Sequence, residues 1–270
     1  MTLRPRDASA KDTDDRIQQA LDVIIARDTG GLAGAYLYGS STTSGLGPES
    51  DIDLLLVTRR SLLVHERTAL VAPLLGISGW RGHADEFPDV AHRRPVELTS
   101  LVLDDTVPLA AAPRRDFQFG EWLRRDLVRG SLPQPERDPD VVILLATALA
   151  SSRALHGPPL RDLIPSVPLD LLREAQRAAL PNLLEGLAAD TRNVLLTLAR
   201  MLHTVETGEI VSKPRAAALA AERVDADGAD LLCAAAREYR GEERVDWDRE
   251  SNRASALADS LVAMIRGAYR

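Results

Sequence analysis

The stretch YLYGSSTTSGLGPESDIDLLLV, from Tyr36 to Val57, decides the fold expected for the first half of the chain. It places Gly39 and Ser40 directly after a short apolar run, and Asp51 and Asp53 at the start of a second one. Both runs are typical of buried β-strands. Side chains two residues apart on a strand point to the same face, so the two carboxylates are predicted to lie roughly 6.6 Å apart on one face.

This pair of carboxylates is suited to binding divalent cations. Without a cation, two buried carboxylates repel each other, and at least one pKa rises. Two Mg²⁺ ions remove the repulsion, and they are the arrangement used in phosphoryl and nucleotidyl transfer. The preceding Gly39-Ser40 turn supports this interpretation, because its N–H groups and hydroxyl can bind a phosphate. The competing interpretation is a solvated turn in front of a strand, where Asp is common.

A third acid is predicted on a neighbouring strand. Glu97 lies in RPVELTSLVL between Val96 and Leu98, and therefore points to the opposite face from these two apolar residues. Alone, such an acid indicates the solvent face of an edge strand. Together with Asp51 and Asp53, it is a candidate general base that takes a proton from an attacking hydroxyl.

The pattern of predicted elements favours an α+β fold. Residues 1–14 are predicted to form a disordered tail, residues 15–160 a small mixed sheet with helices, and residues 161–270 an all-helical domain. The proline-rich segment GPPLRDLIPSVP, residues 157–168, marks the boundary between the two domains.

After Leu103 the periodicity predicts helices only. Two of them are RRDFQFGEWLRRDLVRG, residues 114–130, and DPDVVILLATALASSRALHG, residues 138–157. The remaining helices are predicted at residues 169–180, 191–207, 214–223, 228–240 and 249–267. Gly208 and Gly241 are the expected C-terminal stops of two of these helices.

Composition excludes several classes of partner. The formal net charge of −7 argues against a nucleic acid, whose phosphates would be repelled. The polar N-terminal segment and the absence of a long apolar run argue against export and against a membrane. Cys233, the one cysteine, allows no intramolecular disulfide and is expected to be a small core residue. We therefore expect a cytoplasmic protein. We also expect it to be a monomer.

The motifs resemble those of a known family. A Gly-Ser turn, ten residues and then Asp-x-Asp, with a later acid on a strand, resembles the nucleotidyltransferase fold of the DNA polymerase β superfamily. From about residue 15 to the C terminus, five segments resemble the aminoglycoside (3'')(9) adenylyltransferases: LYGSSTTSGLGPESDIDLLLV, RPVELTSLV, DFQFGEWLRRDLVRG, DVVILLATA and DTRNVLLTLARM. The resemblance implies that Asp51, Asp53 and Glu97 hold two Mg²⁺ ions, that Glu97 is the catalytic base, and that Ser40 contacts the phosphates of ATP.

The helical half carries a polar line on one predicted helix. Asp190, Asn193, Thr197 and Arg200 follow one another at helical spacing in the segment DTRNVLLTLAR. Without a family, Asp190 is simply the helix N-cap and the other polar residues are solvated surface. The resemblance implies instead that Asp190 and Asn193 bind the drug and that Arg200 binds the phosphates of ATP.

Three more residues are candidates. Lys213, one of two lysines in the chain, precedes Pro214 at a predicted helix start, where a triphosphate would be favoured; the alternative is a surface lysine. The resemblance also implies that Tyr239 lies near the nucleotide and that Trp122 lines the drug cleft. Core packing is the alternative for both aromatic residues.

The choice of drug depends on the segment before Asp190. By an ungapped count, Pro181 and Gly186 stand where streptomycin-modifying members carry a tryptophan and an aspartate. The expected reaction is therefore attack on the α-phosphorus of ATP by the 9-hydroxyl of spectinomycin, in preference to the 3''-hydroxyl of streptomycin. Glu185 is an alternative source of the missing acid.

Two other functions use the same acids. One is a regulatory or toxin-antitoxin nucleotidyltransferase that modifies a protein hydroxyl. The other is a catalytically silent nucleotide-binding module that signals by domain closure. Only the acceptor of the AMP group distinguishes the first of these from a drug-modifying enzyme.

Overall fold

The structure is a computed structural model that describes residues 17–18, 21–22, 24–26, 28–43 and 50–269. The tail predicted at residues 1–14 lies outside these residues. The strands within them are β1 (Leu32–Tyr38), β2 (Ile52–Thr58), β3 (Val96–Val102), β4 (Arg114–Phe119), β5 (Glu136–Arg137) and β6 (Ser152–His156).

These strands form one mixed sheet in the order β5-β4-β3-β2-β1-β6. The β2–β3 pair is parallel, and the other pairs are antiparallel. Asp53 on β2 is the register partner of Tyr38 on β1 and of Glu97 on β3. Register partners point to the same face of a sheet, so these three side chains form one row across three strands.

The helices flank the sheet and then form a separate layer. They are α1 (Ser40–Thr43), α2 (Val64–Ile77), α3 (Arg124–Val128), α4 (Asp140–Ala150), α5 (Leu160–Leu163), α6 (Leu169–Glu185), α7 (Thr191–Thr207), α8 (Lys213–Ala221), α9 (Ala226–Tyr239) and α10 (Ser251–Ala268). Residues 17–18, 21–22 and 24–26 are also helical. Among the helices described, none is long and apolar enough to cross a membrane.

Alternation along the strands separates two apolar cores. Leu54 and Leu56 face α2, whereas Leu55 and Val57 face α4. Asp53 and Glu97 point to the same face of the sheet as Leu55, the face that α4 covers. They come earlier in their strands than the apolar residues of this face, so they lie at the end where the cleft opens. Each fully buried leucine of this kind contributes about 1.5–3 kcal/mol.

The helical half is built around α7. The predicted apolar stripe is buried along its whole length; it consists of Val194, Leu195, Leu198, Met201, Leu202 and Val205. These residues pack with α8, α9 and α10, and Gly208 ends the helix in the left-handed conformation with φ +77°. A smaller apolar cluster joins Val142 and Ala146 of α4 to Leu172 and Ala175 of α6, and so holds the two halves together.

Three expectations from the sequence are wrong. Residues 114–119, predicted to be helical, form β4, because Phe117 and Phe119 alternate into the core beneath α2. Residues 152–156 form β6, an edge strand that pairs with β1 instead of extending α4. Cys233 is exposed, because it lies outside the buried stripe of α9. The division into domains at residue 160 stays a prediction, and Leu160 packs in the sheet core.

Candidate active site between the sheet and the helical half

A cleft of about 780 Å³ separates the α4 face of the sheet from the helical half. All of the predicted site residues except Trp122 line it: Ser40, Asp51, Asp53, Glu97, Asp190, Asn193, Arg200, Lys213 and Tyr239. Ser40 begins α1, Asp51 directly precedes β2, and Asp190 directly precedes α7. The others lie on β2, β3, α7, α8 and α9. The structure therefore brings into one place side chains that are up to 199 residues apart in the chain.

The loop after β1 is held close to the acids. Gly39 has φ +73°, and a Cβ at this position would overlap Oδ2 of Asp53. Thr42 Oγ1 donates to the carbonyl oxygen of Ser151 at 3.0 Å, and Ser151 Oγ donates to that of Thr42 at 3.1 Å. This reciprocal pair fixes the loop against the end of α4, which positions Ser40 at the cleft.

The three acids are electrostatically coupled. Burial first, and then the negative charge of Asp51, raise the pKa of Asp53 to about 7. Burial, followed by Asp53 and Asp51, raises the pKa of Glu97 to about 8. Burial also raises the pKa of Asp51, although Lys213 and Arg94 oppose this shift. A hydrogen bond joins the side chains of Asp51 and Glu97, so without a cation the site retains protons near neutral pH.

The donor set fits a hard divalent cation by ligand type. The pKa values of the three carboxylates are raised even though Lys213 and Arg200 lie near them, and carboxylate oxygens are the ligands that Mg²⁺ prefers. No three His, Cys, Asp or Glu side chains in the described ranges are arranged as a ready-made metal cage. The three carboxylates therefore suit a divalent cation by ligand type and by charge. Before they could bind one, the hydrogen bond between Asp51 and Glu97 would have to break.

Two cations face the acids from the helical half. Burial first, and then the neighbouring Arg200, lower the pKa of Lys213 to about 8. Lys213 Nζ donates to Oδ1 of Asn193 and lies 5.8 Å from the centroid of the Tyr239 ring. Burial also lowers the pKa of Arg200. A buried ammonium and a buried guanidinium that face three carboxylates are suited to binding a polyphosphate.

Asp190 has a structural role as well as a place in the cleft. Its Oδ1 accepts a hydrogen bond from the backbone N–H of Asn193 at 3.3 Å, which makes it the N-cap of α7. The side chains of Asp190 and Asn193 nevertheless line the cleft, so capping and a place in the cleft are compatible for Asp190. Arg200 is buried at the cleft, which contradicts the alternative that it is solvated surface. Tyr239 OH accepts from Ser50 Oγ at 3.5 Å, which links α9 to the residue preceding Asp51.

Trp122 is not brought to the cleft. Its side chain is 54% exposed and packs against Gly120, where a Cβ would overlap the indole ring. Pro181, Glu185 and Gly186 also lie outside the lining of the cleft that the described residues form. Neither the tryptophan nor the alternative acid therefore reaches the cleft in this structure.

Several lining residues were missed by sequence reasoning. Gln118 enters the cleft because it is the register partner of Thr99, a signal that was hidden by the wrong assignment of β4. Asp140, Ile143 and Thr147 present one stripe of α4, and Gln176 lies on α6. Spacing along each helix could have indicated a common face for these residues, but not that the face lines the cleft.

Comparison with known proteins supports one family. Residues 162–264 match the family model described as aminoglycoside adenylyltransferase, C-terminal domain. A spectinomycin 9-adenylyltransferase of Staphylococcus aureus is 40% identical over 242 residues, which cover 88% of this chain and 91% of the relative. The chain belongs to the aminoglycoside adenylyltransferase family. This membership confirms the resemblance seen in the sequence and does not favour the protein-modifying alternative.

Other members of the family are similar over almost the whole chain. An aminoglycoside (3'') (9) adenylyltransferase of Escherichia coli is 35% identical over 264 residues, 97% of each chain. A crystal structure of a spectinomycin adenyltransferase from Enterococcus faecalis with ATP and spectinomycin superposes with a TM-score of 0.83 at 28% identity. The superposition covers 93% of this chain and 98% of the Enterococcus faecalis chain. This chain and the Enterococcus faecalis protein therefore share the arrangement of sheet and helical half.

Proposed function

We propose that this protein transfers AMP from ATP to a hydroxyl of an aminocyclitol antibiotic. The observation that carries the proposal is the meeting of Asp51, Asp53 and Glu97 with Arg200 and Lys213 across one cleft. Acids and cations placed in this way suit a nucleotide whose α-phosphorus is attacked in line. The names of the relatives supply the class of acceptor.

Spectinomycin, at its 9-hydroxyl, is the favoured acceptor over streptomycin at its 3''-hydroxyl. Pro181 and Gly186 offer neither a stacking surface nor a charge where streptomycin-modifying members carry both. The 40% identical relative carries the name of a spectinomycin enzyme, whereas the relative with the double name is 35% identical. Both comparisons support a small fused-ring acceptor.

Each side chain has a proposed role. Glu97 removes the proton from the attacking hydroxyl, since it is a carboxylate that lines the cleft beside Asp51 and Asp53. Ser40, Arg200, Lys213 and Tyr239 bind ATP. Asp190 and Asn193 bind the amino groups and hydroxyls of the drug. Trp122, the other proposed drug contact, would have to leave its position on Gly120.

Asp51, Asp53 and Glu97 are also the residues that would hold two Mg²⁺ ions. Magnesium would neutralise the triphosphate and help the pyrophosphate to leave. The proposed enzyme is a monomer, since the nine proposed cleft residues need no second copy to complete the site. The net charge of −7 supports the absence of a nucleic-acid partner, and the need for ATP supports a cytoplasmic location.

The test is release of pyrophosphate when purified protein is mixed with MgATP and spectinomycin. Glu97→Gln, which keeps the size of the side chain but removes the base, is expected to lower kcat at least about 100-fold. Glu174→Gln, on the exposed side of α6, is the matched control and should leave kcat unchanged.

Three results would contradict parts of the proposal. Full activity of Glu97→Gln would overturn the assignment of the base. Labelled AMP that appears on a protein, and on neither spectinomycin nor streptomycin, would overturn the class of acceptor. Equal kcat/KM values for spectinomycin and streptomycin would overturn only the proposed preference between the two drugs.

A further inference from the structure

Gln176 carries a buried polar atom in its side chain. The residue lies in the middle of α6, and only 3% of its surface is exposed. Across the described residues, no donor lies within hydrogen-bond reach of its side-chain Oε1. The same side chain forms part of the lining of the cleft.

An unpartnered buried oxygen destabilises a protein, because the group loses its hydrogen bonds to water and gains none in exchange. Such groups require an explanation when they occur. A leucine or methionine of similar size would fill this position without that cost. The position of Gln176 on a cleft suggests that the missing donor belongs to a ligand.

The location of Gln176 indicates which ligand this is. The neighbouring Ala175 packs against Val142 and Ala146 of α4, so Gln176 lies beside the α4 stripe that contains Asp140 and Ile143.

The cleft runs along the sheet from the Ser40 loop after β1, past the acids on β2 and β3, to β4. Asp140 lies at the β4 end, where Arg115 and Asp138 are its charged neighbours. The turn that carries Ser40 is at the other end, after β1, whereas the proposed ATP-binding residues Arg200 and Lys213 face Asp51 and Asp53 between the two ends.

We propose that Gln176 is a specificity-determining residue of the acceptor subsite, where its side-chain oxygen accepts a hydrogen bond from a hydroxyl or ammonium group of the drug. The inference rests on the proposed function and names a contact within the same cleft. The acceptors concerned are polyhydroxylated cations, which carry many donors. Asp140 on the same wall adds negative charge, which favours a cationic acceptor over a neutral one.

The test is steady-state kinetics of Gln176→Leu with spectinomycin and MgATP. The KM for spectinomycin is expected to rise about 10-fold, because the drug then leaves one donor unpaired. The KM for ATP and kcat should stay within about twofold of the wild-type values, because the contact is made equally before and during the reaction. Gln176→Glu keeps an acceptor oxygen and should return the KM for spectinomycin to within about threefold of the wild-type value.

Ser100→Ala provides the matched control. The Ser100 hydroxyl is also fully buried and without a partner among the described residues, but it faces the core beneath α2 and not the cleft. This variant is expected to change thermal stability alone. The comparison separates the general effect of removing an unpartnered polar group from an effect on the acceptor.

The outcomes distinguish the inference from the proposed function. Wild-type protein that adenylylates spectinomycin, together with an unchanged KM in Gln176→Leu, overturns the role of Gln176 and leaves the function standing. Wild-type protein that transfers AMP to no drug overturns both. If Gln176→Leu does not fold, Gln176→Met is measured in its place, and the same change in KM is required of it.

Discussion

Gly39 is a single residue on which the geometry of the proposed metal-binding site depends. Its backbone has φ +73°, and any side chain would overlap Oδ2 of Asp53. Gly39→Ala is therefore expected to lower the free energy of unfolding by about 1–3 kcal/mol and kcat/KM at least about 10-fold. Chemical denaturation and pyrophosphate release measure the two effects.

The control for this substitution is Gly76→Ala, in the last turn of α2. A Cβ there meets no atom within 4 Å, and alanine favours the helix by up to about 1 kcal/mol. This variant should be fully active and at least as stable as the wild type. Wild-type activity in Gly39→Ala would mean that the position of Asp53 does not depend on the loop.

At the scale of one element, α7 combines a cap and a proposed drug contact in Asp190. Serine also caps helices well, so Asp190→Ser is expected to keep stability within about 0.5 kcal/mol while raising the KM for spectinomycin about 10-fold. Asp190→Ala should raise the KM equally and also cost about 1 kcal/mol. Enzyme kinetics and thermal unfolding of both variants separate the two roles.

Asp225 offers a matched control on α9. Its Oδ1 accepts from the N–H of Gly228 at 2.8 Å, and its side chain lies outside the cleft lining formed by the described residues. Asp225→Ala should cost about 1 kcal/mol and leave every KM unchanged. A normal KM for spectinomycin in Asp190→Ser would leave Asp190 with the capping role alone.

At the scale of the whole molecule, the buried acids make stability depend on pH. The folded protein holds protons on Asp53 up to about pH 7 and on Glu97 up to about pH 8, whereas the unfolded chain releases them near pH 4. The folded state therefore binds more protons in this window, and the stability of the metal-free protein falls as pH rises from 5 to 8.

This dependence can be measured with Asp53→Asn. In the presence of EDTA, the variant is expected to be more stable than the wild type by about 2 kcal/mol at pH 8 and to have nearly the same stability at pH 5. The reason is that the buried Asp53 side chain lowers the stability of the folded state only when it is ionised. Adding magnesium to the wild type should stabilise it more at pH 8 than at pH 5. If the variant is less stable than the wild type at both pH values, the ionised carboxylate of Asp53 does not destabilise the folded state.

The parts of the fold that could be predicted depend on short-range signals. Short apolar runs predicted β1, β2 and β3, and helical periodicity with Asp190 and Gly208 at the ends predicted α7. The spacing of Asp51 and Asp53, with Glu97 on a strand, placed three acids on the sheet. These signals depend on backbone geometry and on side chains a few residues apart, so they can be read from a single sequence.

The remaining features depend on partners that are distant in the chain. β6 forms because its backbone pairs with the edge of β1. Trp122 packs on Gly120 because the chain turns at these residues. The pKa values of Asp53, Glu97 and Lys213 follow from burial and from charges brought together by folding. The unpartnered oxygen of Gln176 has the same origin. The sequence by itself determined which chemical groups are present and on which elements they lie. Only the tertiary structure decided which of these groups meet in the cleft, because burial and long-range contacts arise when the chain packs.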